Sequence, residues 1–117
     1  MKKFVLISMF CLVSLGCFAQ SLGISFYDQQ GREFVVYAPS GRFTYSMYAD
    51  DFISRDYNGR ISRIGDTFIF YDYAGRVSRI GDVFVFYDTY GRVNRVGNLF
   101  VFYDYNGNVT HTTGSVQ

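Results

Sequence analysis

The stretch that decides the fold runs from Arg63 to Gly107: RIGDTFIFYDYAGRVSRIGDVFVFYDTYGRVNRVGNLFVFYDYNG. Aligned on glycine it is one phrase repeated, with Gly59, Gly75, Gly91 and Gly107 each sixteen residues after the last. A fixed period of this kind marks a repeat architecture, in which each unit buries its apolar face against the next.

Each unit holds two strand signals and two turn signals. Thr67-Phe68-Ile69-Phe70-Tyr71 is aromatic and β-branched, the composition of a pleated, packed surface. Arg76-Val77-Ser78-Arg79-Ile80 is a shorter and more polar partner. Gly65-Asp66, between Ile64 and Thr67, reads as a two-residue hairpin turn. Asp72-Tyr73-Ala74-Gly75 closes the other end, the aspartate bonding its own backbone. Glycine recurs too often, and the apolar spacing fits 3.6 too poorly, for helices. The fold expected is all-β, an antiparallel meander of tandem 16-residue β-hairpin repeats that forms a curled sheet or barrel-like roll. Ile24–Arg32, Phe34–Arg42 and Phe52–Arg60 are worn copies of the second half of the unit, which places divergent hairpins at 20–58 and regular ones at 59–113. Residues 114–117 form a tail, and 20–117 makes one domain.

Pleat parity divides the side chains between two faces. With two residues in one turn and four in the other, Ile64 pairs with Thr67 and Tyr71 with Arg76. One face then carries Phe68, Phe70, Val77, Phe84, Phe86, Val93, Phe100 and Phe102, rimmed by Arg63, Arg79 and Arg95. The other carries Ile69, Val85, Val101, Tyr71, Tyr87 and Tyr103 among Arg60, Arg76, Arg92, Ser62 and Ser78. The larger apolar area makes the Phe face the expected core.

The N-terminus reads as an export signal over residues 1–19. Lys2 and Lys3 precede a short apolar run, and Cys17-Phe18-Ala19 offers small residues at a cleavage site before Gln20. Lipidation at Cys17 is the alternative, since Ser14-Leu15-Gly16-Cys17 loosely resembles a lipobox. The expected location is exported, periplasmic or secreted, with no membrane span in the mature chain. Cleavage removes Cys11 and Cys17, so no disulfide is expected. It also removes both lysines, taking the formal net charge from +1 to −1. That balance argues against nucleic acid as a partner.

Catalytic chemistry is missing from the mature chain. His111 is the only histidine and lies in a polar run near the C-terminus; no thiol, lysine or phosphate loop accompanies it. No enzyme activity, no cofactor and no metal site is expected. The recurring Asp56, Asp72, Asp88 and Asp104 bring one carboxylate per loop, whereas calcium takes about 6–8 oxygens. The combination that invites function is aromatic and cationic. Tyr71, Tyr87 and Tyr103 with Arg60, Arg76 and Arg92 are the candidate ligand-binding residues, able to stack on sugars or grip anionic groups.

Tyr71-Asp72-Tyr73-Ala74-Gly75-Arg76-Val77-Ser78-Arg79-Ile80 resembles the YD repeat of the Rhs family. Tyr27–Arg32, Tyr87–Val93 and Tyr103–Val109 carry the same pattern. A weaker similarity is to the aromatic hairpin repeats of cell-wall-binding modules. Both resemblances imply β-hairpin repeats and a binding role. The function expected is that of an exported, non-enzymatic binding or adhesion module for a glycan or an envelope or surface protein. The alternative is a structural protein that self-associates through exposed strand edges.

Overall fold

The computed structural model describes residues 21–48 and 51–117. The expected leader at 1–19 lies outside them. Eleven antiparallel strands and no helix make up the described chain. β1 (Leu22–Tyr27), β2 (Glu33–Ala38) and β3 (Phe43–Tyr45) form a three-stranded sheet in sequence order. The remaining eight strands form one meander, with each strand beside its sequence neighbours. These are β4 (Ile53–Arg55), β5 (Ile61–Ile64), β6 (Thr67–Tyr71), β7 (Val77–Ile80), β8 (Val83–Tyr87), β9 (Val93–Val96), β10 (Leu99–Tyr103) and β11 (Val109–Thr113). The worn copy at Phe52–Arg60 therefore joins the regular half. The meander is open, with β4 and β11 at its ends.

The two-residue turns behave as the sequence predicts. Ile64 pairs with Thr67, and Gly65 takes φ +58° while Asp66 stays at negative φ. Glycine first with positive φ is the type II′ arrangement, whose twist matches that of the flanking strands.

The other turn is longer than predicted, and this changes the faces. Tyr71 pairs with Val77, not Arg76, while Phe70 pairs with Arg79. Ser78 is therefore an extra, bulged residue, and Ser62, Asn94 and Thr110 are its counterparts. A bulge flips parity once, so Val77 and Ile80, three residues apart, both turn to the same buried side. The bulge positions are the small polar residues of the repeat, which tolerate leaving the ladder.

The expected core is inverted. Ile69, Val77, Ile80, Val83, Val85, Val93, Val96 and Val101 are buried, whereas Phe68, Phe70, Phe84, Phe86, Phe100 and Phe102 are 41–49% exposed. The reason is what covers the meander. The three-stranded sheet lies on its aliphatic face and supplies Ile24, Phe26, Phe34 and Val36 to the shared core. Sheets stacked about 10 Å apart leave room for compact side chains on one side when the other contributes rings. A second layer of six phenylalanines does not fit there.

Polar contacts fix the covering sheet in place. Arg32 is buried with its guanidinium bonded to Asp28, Asp51 and the Ile64 carbonyl. Thr67 Oγ1 donates to Asp28 Oδ2 at 2.8 Å, and the Val93 amide donates to the Pro39 carbonyl at 3.0 Å. The cover thus reaches from β5 to β9.

Candidate functional site

The site is built on the long turns. In each, the Asp carboxylate organises the chain. Asp72 Oδ1 accepts from the Ala74 and Arg76 amides at 3.0 and 2.9 Å, and Oδ2 accepts from Arg76 Nε at 2.9 Å. The Asp72 amide donates to the Arg76 carbonyl, and Gly75 donates back to Asp72. The same set recurs at Asp56 and Asp88; Asp104 keeps the two amide bonds, with Asn108 in the arginine's place. Asp28 forms the same turn at Gln30 and Arg32. Desolvation acts to raise the Asp56, Asp72 and Asp88 carboxyls, but the hydrogen bonds from the following arginine and turn amides outweigh it and lower them.

All six predicted site residues gather at this end of the meander, in an order the sequence reading did not anticipate. Arg76 does not lie on Tyr71 of its own hairpin. Arg60 lies over Tyr71, Arg76 over Tyr87 and Arg92 over Tyr103, at 4.4, 4.2 and 4.3 Å from the ring centroids. Each contact therefore ties one unit to the next. The hydroxyls of Tyr71 and Tyr87 donate to the Ile61 and Val77 carbonyls at 2.8 and 2.7 Å, and Tyr103 donates to the Val93 carbonyl. Burial pushes Tyr87 and Tyr103 up to about 12, against the lowering field of Arg76 and Arg92. These tyrosines are half-buried clasps, with their hydroxyls committed to the backbone.

What the turns offer to solvent is a second set of tyrosines, which sequence reasoning missed. Tyr57, Tyr73, Tyr90 and Tyr105 are almost wholly exposed at the turn tips. Their signal was present in the variable positions after each Asp, where an aromatic recurs in every regular turn. Successive turns stand two strands apart, about 9–10 Å. Between Tyr90 and Tyr105 runs an open groove of about 560 Å³, lined also by Arg92, Tyr103, Asp104, Asn106 and Gly107. It sets two exposed aromatic rings, that of Tyr90 with the Arg92 guanidinium 4.9 Å from its centroid, beside one carboxylate and one amide. A second cleft, about 380 Å³, lies where Ser40–Phe43 meet Tyr71 and Gly75–Val77.

Among the described residues no group of three or more His, Cys, Asp or Glu side chains is placed to hold a metal. No helix there is long and apolar enough to cross a membrane. Fold and site together define an all-β hairpin-repeat protein with an aromatic turn edge. Comparison with protein-family models, with curated proteins and with solved structures finds no match.

Proposed function

We propose that this chain is an exported, non-enzymatic binding or adhesion module that recognises a glycan, or a glycan-bearing surface protein, along its turn edge. The observation that carries the reading is the groove between Tyr90 and Tyr105. Sugars present apolar C–H faces and a rim of hydroxyls, so they need free aromatic planes beside a few fixed polar groups. The groove supplies the exposed Tyr105 ring, the Tyr90 ring with Arg92 over it, and the polar groups of Asp104 and Asn106, all carried on Asp-centred turns. Tyr71, Tyr87 and Tyr103 with Arg60, Arg76 and Arg92 act here as its scaffold, and Arg92 and Tyr103 also line it. The resemblance of the turns to YD repeats fits the same role.

Titration of the protein against a panel of soluble envelope oligosaccharides, followed by calorimetry, tests this. Tyr90→Ala and Tyr105→Ala should each weaken binding at least tenfold without lowering the melting temperature. Unchanged affinity in both variants overturns the assignment of the groove. A second reading, assembly through strand edges, is favoured by one observation: β4 and β11 both end the larger sheet. Light scattering that shows growth with concentration would support it.

A further inference from the structure

The outer face of the meander is a surface that the turn groove leaves unused. Its phenylalanines and arginines follow a fixed order. Arg63 lies over Phe52 and Phe68 at 5.7 and 5.2 Å. Arg79 lies over Phe70 and Phe84 at 5.3 and 5.0 Å, and Arg95 over Phe86 and Phe100 at 5.0 and 5.1 Å. Strand register produces this, because Arg79 stands directly across from Phe70 on β6 and from Phe84 on β8. Phe84 and Phe86 are stacked 6.2 Å apart, and Phe102 stacks on His111 at 4.6 Å. The result is one stripe that crosses the sheet diagonally.

The chemistry of the stripe is one-sided. No strand from β4 to β11 contains an acidic residue. Arg79 and Arg95 donate through Nε to the carbonyls of Gly81 and Gly97, and among the described residues neither has a carboxylate partner. Arg63 donates likewise to the Gly65 carbonyl, and its carboxylate partner is the exposed Asp66, at 3.7 Å. The half-exposed rings leave an apolar surface on the order of several hundred Å², more than scattered surface residues account for. One guanidinium lies over each phenylalanine ring from Phe52 to Phe100, so cation and apolar surface alternate along the stripe.

We propose that this outer face docks on an anionic lipid surface. The half-exposed rings enter the boundary between headgroups and acyl chains, and Arg63, Arg79 and Arg95 bond the lipid phosphates. A second copy of the same face would bring arginine against arginine, with no acid on the strands to relieve it. A polysaccharide would find the charge, but each phenylalanine ring from Phe52 to Phe100 already has a guanidinium over it.

Cosedimentation of the full chain with vesicles tests the proposal, and residues 1–19 are common to every variant compared. The wild type should bind phosphatidylglycerol/phosphatidylcholine vesicles and leave pure phosphatidylcholine vesicles unbound beyond the level of the R63Q/R79Q/R95Q variant. Each arginine is worth about fivefold, so R63Q/R79Q/R95Q should bind the anionic vesicles roughly a hundredfold more weakly, and R79Q alone about fivefold more weakly. R63K/R79K/R95K should stay close to the wild type. F84S/F86S should also weaken binding, although it keeps every charge. Equal binding by the wild type, R79Q and the triple glutamine variant overturns the proposal. So does F84S/F86S binding that matches the wild type, together with equal affinity for soluble dextran sulfate, which would mean charge attraction alone. Y90A/Y105A should leave vesicle binding intact, so failure of the groove assignment and failure of this one are read separately.

Discussion

Asp72 and Tyr87 each tie stability to pH, from opposite ends of the scale. The carboxyls of Asp56, Asp72 and Asp88 are lowered in the fold relative to a reference of 3.8. A lowered carboxyl stabilises the fold above the unfolded value, and that contribution is lost as pH falls through the folded one. The contribution of these three turns should therefore be lost as pH falls below about 3.8. Tyrosine works with the opposite sign. Tyr87 and Tyr103 are raised from 10.0 to about 12, so their contribution is intact below pH 10 and fades between 10 and 12, where the unfolded chain ionises first. Tyr87→Phe leaves the Val77 carbonyl without its donor and should cost about 1–2 kcal/mol at pH 7. The double variant Y87F/Y103F should also lose most of the alkaline decline. Urea midpoints at pH 7, 9 and 11.5 check both; an undiminished alkaline decline in the double variant would show that the clasps are not its source.

At the scale of strands and turns, the face inversion makes a direct prediction. Ile80→Ala opens a cavity under the covering sheet and should cost about 2–5 kcal/mol, whereas Phe84→Ala, on the open side, should cost about 1–2. Denaturant midpoints decide, and a larger loss for Phe84→Ala would restore the Phe face as core. Alternation within each strand, the II′ turns and the Asp-centred turns were all legible, because each depends on residues near one another in sequence. The choice of face was not, since it rests on what lies above the meander. Ile24, Phe26, Phe34 and Val36 sit far upstream, and no local pattern says which side they cover. The bulge was half legible: Ser62, Ser78 and Asn94 recur at one position, yet only the register shows that they drop out of the ladder. The exposed turn tyrosines escaped notice because they occupy the positions where the repeat varies.

For the whole molecule, the question is whether sixteen-residue units are interchangeable. Deleting Gly75–Tyr90 joins Ala74 to Gly91 and regenerates an Asp-x-x-Gly-Arg turn, so the meander keeps its phase with one hairpin fewer. An open array tolerates this, whereas a closed barrel would not. The covering sheet adds a condition that the repeat alone does not reveal. It is pinned at Ile64 through Arg32 and at Val93 through Pro39, so it measures off the strands from β5 to β9. After the deletion the strand in the ninth place is Val109-Thr110-His111-Thr112. Val109 can take over the bond from Val93, since each begins its strand directly after the turn. Thr112, however, falls where Val96 is completely buried. A hydroxyl there meets an aliphatic core with no partner, at a cost of about 1–3 kcal/mol. The shortened protein should therefore fold cooperatively but with clearly reduced stability. Thr112→Val should recover about 1–3 kcal/mol in the deletion background and much less in the full-length chain, where Thr112 is only half-buried. Urea titrations of the four proteins measure this difference as a coupling between the deletion and the substitution. Equal effects of Thr112→Val in both backgrounds would mean that the cover does not count strands, and that the units slide beneath it freely.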